Sequence, residues 1–435
     1  MRARLVVMCL CVAGCAASPA VSAARRGDLA GVARAIEPEL RAGRLGNDDA
    51  ADIARAVAEN ALASSGDEAR ERVRELRSCT SALVSELEDR AKKHDAAGAE
   101  AAMALLEGDE LSSADARNWS NDPSDDWRAV AARGLVRERD ADARAKALLD
   151  PSARVRRAAI RASAEAKAAG DVPGLLEAAR VDPDLMARSE AVRAVARIDP
   201  ASTDVVRRLH DLWTTSDDPL RQDIARAWVS PNLAAAGGAE ELRLLLASGH
   251  GPGAVHAAAL VAMGFRTSGG AKPSPFDDET KKSAVAVLVH AIDAAPRAER
   301  ALAIAMAPLS NDDVRAAVKR ASGESNDLET RESALSRLLE VPTERYAAKK
   351  ELVAFASPGS PEHLARRARL ALAAEGDLSV QAWIEADLKS PDPSTRLLAA
   401  SALASLHRVA RAAPLLADPD AHVRTSAACT VLAAR

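Results

Sequence analysis

The sequence predicts an all-α protein, an α-solenoid of short helical hairpins preceded by an N-terminal helical cap. Three observations carry that expectation. The segment Asp150-Pro151-Ser152-Ala153-Arg154-Val155-Arg156 recurs in degraded copies from about Asp122 onward. The copies lie about thirty residues apart, room for two helices of about a dozen residues with short turns. No stretch sustains the alternation of apolar and polar residues that a strand needs.

Within the unit, Asp150 is expected to cap a helix through its carboxylate, and Pro151 suits the first helical position, where its missing N–H costs nothing. Val155, Ala158, Ala159 and Ala162 then fall at i, i+3, i+4 and i+7, an apolar stripe that must bury against another helix, while Arg154, Arg157 and Arg161 stay off it. An arginine follows each cap by six residues: Arg128 after Asp122, Arg156 after Asp150, Arg188 after Asp182, Arg366 after Ser360, Arg396 after Ser390 and Arg424 after Asp418. Arg221 takes the corresponding place in the Asp218-Pro219 copy.

Asp-Pro followed by Val-Arg and an alanine-rich helix resembles the second helix of HEAT-like repeats, over roughly Asp122 to Arg435. The period is shorter than the ~40–47 residues of standard HEAT units and resembles the compact class found in bilin lyases and bacterial scaffolds. The resemblance implies a structural ladder, in which Asp and Arg of adjacent units pair. It also implies a concave face lined by second helices as the binding surface.

Among 435 residues, aromatics make up only 2%, so the repeat core is expected to be Ala, Leu and Val. A solenoid has no upper size for a single core, because each repeat packs on its neighbours, and one elongated body is expected. With 59 basic against 63 acidic residues the net charge is −4, which supplies no broad positive field for phosphate backbones; nucleic acid is disfavoured.

At the start, Met1 to Arg4 is basic, Leu5 to Val12 is apolar, and Val12-Ala13-Gly14-Cys15 resembles the lipobox of bacterial lipoprotein signal peptides. The apolar run is short of the ~20 residues a bilayer span needs. The resemblance implies lipidation at Cys15 and, with Ala16 rather than Asp next, an outer-membrane lipoprotein facing the periplasm; plain secretion with cleavage near Ala23 is the alternative. The organisation expected is a leader over 1–15, an N-terminal helical region over 16–115 and the repeat solenoid over 116–435. Cys79 and Cys429 then stand near opposite ends of an elongated molecule and are expected not to pair.

Ala23 to Val32 reads as a short amphipathic helix. Asp49 to Ser64 and Asp67 to Leu106 read as helical, with Val73, Leu76, Leu83 and Leu87 on one face. Arg133 to Lys167 is locally positive, either a solvated outer face or a dock for an anionic partner. Gly249 to Gly253 precedes a helix and offers backbone N–H groups, without the spacing of a phosphate loop. Arg266 to Lys281 breaks the repeat rhythm with Gly, Pro and Ser and reads as a loop. At the C-terminal end, the helix around Ala428 and Ala433 either presents small, innocuous residues or docks on a partner or second copy.

No motif for hydrolysis, nucleotide binding or metal ligation is present, and the eight histidines are scattered. No cofactor, metal or catalytic residue is assigned. The reading is a non-catalytic protein-interaction scaffold, lipid-anchored at the bacterial cell envelope, with unidentified protein partners. A bilin-lyase-type enzyme and a cytoplasmic or nucleic-acid-binding solenoid are the alternatives; a positive inner face would favour the last.

Overall fold

A computed structural model describes residues 18–249, 251–263 and 276–434. Every regular element among these residues is a helix. We number one layer of helices and the helix that seals it: α1 Asn47–Leu62, α2 Gly66–Glu75, α3 Ala96–Glu107, α4 Asp125–Arg133, α5 Ala153–Ala166, α6 Leu185–Ile198, α7 Asp218–Trp228, α8 Pro252–Met263, α9 Arg297–Ala305, α10 Leu328–Leu338, α11 Glu362–Ala374, α12 Pro393–Ser405 and α13 Ala421–Ala433. From α2 to α13 each packs directly on the next. In the first half of the series the partner helices of successive hairpins barely touch, so the numbered layer lies on the compressed, concave side.

The small residues explain the close packing. Ala158, Ala159 and Ala162 on α5 are buried, as are Ala187, Ala191 and Ala194 on α6, so adjacent backbones approach without bulky knobs between them. The few large aromatics fill the remaining gaps: Trp127 and Trp228 are fully buried, and His94 stacks on Trp127 with ring centroids 4.5 Å apart.

The solenoid does not end in the open. Helix α13 packs along α1 and reaches α2, which leads through α3 back into the first repeat, so the series closes into a ring. One apolar cluster holds Val32, Ile53, Val57, Val73 and Leu76 from the N-terminal region together with Leu416, Ala428, Val431 and Leu432 from the last repeat. Polar contacts cross the same seam: His422 Nδ1 and Glu75 Oε1 lie 2.6 Å apart, and the Ala410 N–H donates to Asn47 Oδ1 at 3.3 Å.

Four sequence expectations change here. Cys79 and Cys429 are joined in a disulfide, with Cα atoms 5.4 Å apart; separation along the chain is not separation in space once the ends meet. The body is accordingly a ring rather than an open rod. The C-terminal helix docks on this chain's own α1. Of the expected loop, Asp278–Lys281 already belong to the helix Asp278–Ala294, capped by Asp277, whose carboxylate accepts the Thr280 N–H at 2.7 Å; residues 264–275 lie outside the described residues. So does Cys15, with its leader.

Candidate functional site: an arginine cleft on the inner layer

The Asp-Pro turns set the spacing between repeats. Asp150 is not the N-cap of α5; Ser152 holds that position, and Asp150 Oδ1 instead accepts the Ser152 N–H at 2.9 Å in an Asx turn. The physical reason is competition: Arg128 of the preceding repeat donates Nε and Nη2 to the two carboxylate oxygens of Asp150, at 3.0 and 3.2 Å. Asp122, Asp182 and Asp418 make the same turn to Ser124, Asp184 and Asp420. Burial alone raises the Asp150 pKa, but the Arg128 and Ser152 hydrogen bonds together outweigh it and leave the carboxyl below its ordinary range.

The arginines divide into two groups. Arg156 forks onto Asp182 at 2.7 Å twice, and Arg396 meets both oxygens of Asp418 at 2.8 and 3.1 Å. With Arg128 these are rungs between consecutive repeats, each also donating Nη1 to backbone carbonyls of its own turn. Arg366 reaches Asp392 at 2.9 Å. Arg188 and Arg221 donate to the carbonyls of Ala179 and Trp213, and Arg424 to that of Asp418. Asp217 caps α7, its carboxylate accepting the Leu220 N–H at 3.3 Å.

On the exposed side of the numbered helices a second set of charges runs across repeats. Arg193 of α6 donates to Asp223 of α7 at 3.0 Å, Arg226 of α7 to His256 of α8 at 2.5 Å, and Arg367 of α11 pairs with Glu332 of α10 at 2.7 Å. In these pairs the acid or the imidazole is buried and the arginine about half exposed, and it is the exposed Glu329 and Glu340 of the same layer that interrupt the positive track.

One stretch departs from that balance. Between α2 and α6 a cleft of about 470 Å³ is lined by Arg70, Arg74, Arg77, Arg133, Arg154, Arg157 and Arg161, with Glu100 and Asp184 the acidic residues among the lining. Arg77 and Arg133 pair at the rim with partly exposed Glu107 and Glu165, and the carboxylates that hold the other guanidiniums lie beneath them. Glu100 is 1% exposed and accepts Arg74 at 2.8 Å and Arg154 at 2.6 Å. Asp126, 9% exposed, takes Arg70 at 2.5 Å and Arg154 at 2.7 Å. Glu190, 10% exposed, takes Arg157 at 2.9 Å and Arg161 at 2.7 Å, while Arg161 itself is 45% exposed. Burial is the largest influence on Asp126 and lifts its pKa; Arg70 opposes it, and Asp125 and Glu100 reinforce it. The Glu190 hydrogen bond raises Arg157, fixing its charge.

Sequence reading finds half of this site. The basic run from Arg133 to Lys167 supplies Arg133, Arg154, Arg157 and Arg161, but Arg144 from the same run is buried on Asp171. Arg70, Arg74 and Arg77 come from the N-terminal region, and nothing local in the sequence ties them to α5. In the glycine run before α8 the Gly251 N–H donates to Glu299 Oε2 at 3.0 Å, so this chain's own carboxylate takes that donor. Among the described residues no group of His, Cys, Asp and Glu is placed to hold a metal ion.

Neither a family model nor a curated protein matches the sequence. The chain is an α-solenoid of helical repeats. Solved structures that match part of the chain include the complex of CpcE and CpcF of phycocyanin lyase from Nostoc, 18% identical over 69% of this chain and 92% of that one, TM-score 0.22. She4p is 10% identical over 89% and 68%, TM-score 0.30. The UNC-45 chaperone, described as binding and folding muscle myosin, is 15% identical over 94% of this chain and 58% of its own, TM-score 0.28.

Proposed function

We propose that this chain is a non-catalytic scaffold of compact HEAT-like repeats, held at the bacterial cell envelope through lipid on Cys15, that presents the inner layer of its ring to protein partners. The arginine cleft carries this reading. Five of its guanidiniums, those of Arg70, Arg74, Arg154, Arg157 and Arg161, are pinned by buried carboxylates into a fixed array, which is the preorganisation that a binding surface uses; they surround no nucleophile paired with a base. The buried Cys79–Cys429 disulfide supports the export part, because such bonds persist in oxidising compartments.

Two measurements test it. Changing Cys15→Ser is expected to move the protein from the membrane fraction to the soluble periplasm, since acyl chains at one terminus are what would hold it on the bilayer. Persistent membrane association would overturn the anchor. Crosslinking in intact cells from positions beside the cleft is expected to trap a protein partner, and trapping none from any cleft position would reject the scaffold. Protein taken from cells under thiol-trapping conditions with Cys79 and Cys429 reduced would reject export.

A further inference from the structure

We propose that the arginine cleft between α2 and α6 docks a short acidic segment of a protein partner, its clustered Asp and Glu carboxylates taken by Arg77, Arg133, Arg157 and Arg161. The proposal deepens the scaffold reading and rests on it for the claim that the occupant is a protein. Three observations select the occupant.

The first is the layering of charge. Glu100, Asp126 and Glu190 lie under Arg70, Arg74, Arg154, Arg157 and Arg161 rather than among them, so there solvent meets guanidinium while the carboxylates act as struts; Arg77 and Arg133 would exchange the rim carboxylates Glu107 and Glu165 for those of the partner. A guanidinium has five N–H donors, and those facing the buried acids leave the outer edges of Arg157 and Arg161 open. The second is geometry. Where guanidiniums converge here they converge on carboxylates: Arg157 and Arg161 on Glu190, Arg70, Arg74 and Arg154 on Glu100. The remaining guanidiniums, Arg77 just after α2 and Arg133 at the end of α4, stand apart from these, which suits several carboxylates along a peptide better than one phosphate at a focus. The third is extent. Further round the inner layer exposed carboxylates stand among the arginines, Glu329 beside Arg297 and Glu340 beside Arg337, 38% and 56% exposed. A long polyanion such as nucleic acid would leave the positive cleft and meet exposed carboxylates, whereas a short segment would not.

The test uses the full chain with its disulfide intact and a fluorescein-labelled octaglutamate as probe, read by anisotropy at low and physiological ionic strength. The parent is expected to bind, with binding weakening as salt rises. The double variant Arg157→Gln with Arg161→Gln, and separately Arg77→Gln on the opposite wall, are each expected to bind at least tenfold more weakly. Arg367→Gln, outside the cleft, is expected to bind as the parent does, and far-UV circular dichroism checks that every variant keeps its helices. No binding by the parent, or equal binding by the parent and both cleft variants, would overturn the proposal. Displacement of the probe by tripolyphosphate at lower concentration than by unlabelled octaglutamate would overturn it in favour of a phosphate ligand. Probe binding with no protein trapped in cells would instead leave this chemistry standing and remove the scaffold reading.

Discussion

Asp182 and Asp150 occupy equivalent turns, yet their surroundings differ in a way that sets what each contributes. Asp182 and Arg156 are both buried, and their two bonds are 2.7 Å long; Asp150 and Arg128 are half-buried, with bonds of 3.0 and 3.2 Å. Removing one partner of a buried pair leaves an uncompensated charge and costs ~3–5 kcal/mol, whereas loss of a partly solvated charged hydrogen bond costs ~1.5–3 kcal/mol. Asp182→Ala is therefore expected to lower the urea midpoint more than Asp150→Ala; equal shifts would show that burial of the rung is immaterial. A second prediction concerns His256. It is buried, its Nε2 accepts from Arg226, and burial first, then the Arg226 charge, lower its pKa from 6.5 to about 4 against a weaker opposing pull from Asp223. Between those values the unfolded chain holds a proton that the folded chain does not, so stability rises with pH from about 4 to about 6.5 and levels above. The full shift corresponds to roughly 3 kcal/mol, and less is expected because Arg226 is half exposed. Stability curves at pH 7 and 4.5 are expected to converge more closely in His256→Gln than in the parent; identical pH dependence would show that His256 does not set it.

At the scale of elements, the junction of α13 with α1 replaces the polar end that an open solenoid would require. Ala428 is fully buried there, whereas Ala433, one turn further on, is exposed. Ala428→Glu would bury a charge without a partner and is expected to cost several kcal/mol, on the order of the penalty for unpaired buried charge, and to lower the melting temperature clearly. Ala433→Glu is expected to stay within ~0.5 kcal/mol of the parent, as surface changes do. A harmless Ala428→Glu would mean that α13 does not rest on α1 in solution. The same junction shows why an end helix rich in small residues needs no second molecule: its alanines let the first helices of the chain approach.

For the whole molecule, the disulfide ties the N-terminal region to the last repeat across a sequence separation of 350 residues. A crosslink of that span restricts the unfolded chain strongly, and native disulfides typically contribute ~2–4 kcal/mol. Cys79→Ser is expected to lower the denaturation midpoint, and to remove the faster migration that the oxidised, unfolded parent should show on a non-reducing gel. Equal migration of parent and variant would mean the bond is absent. Because α13 and α1 share an apolar cluster independent of the sulfurs, small-angle scattering of the variant under native conditions is expected to keep the parent's radius of gyration.

What the sequence determined by itself is local and periodic. The alanine stripe of α5, the Asp-Pro turns and the thirty-residue rhythm dictate helical hairpins stacked in series, because those features act within one repeat and between neighbours. Even there it misplaced the cap: Asp150 has cap chemistry, but whether its carboxylate turns to its own helix or to Arg128 depends on the preceding repeat. The tertiary structure alone decided everything that joins distant segments. Curvature accumulates over many repeats until α13 meets α1, so small differences in packing angle, which no motif records, bring Cys79 to Cys429. They also place Arg70, Arg74 and Arg77 opposite Arg154, Arg157 and Arg161. The run from Arg133 to Lys167 was visible as a basic stretch, but its meaning was not: burial of Arg144 on Asp171 and of Glu100 beneath three arginines sorts those charges into struts and surface, and burial is a property of the packed molecule.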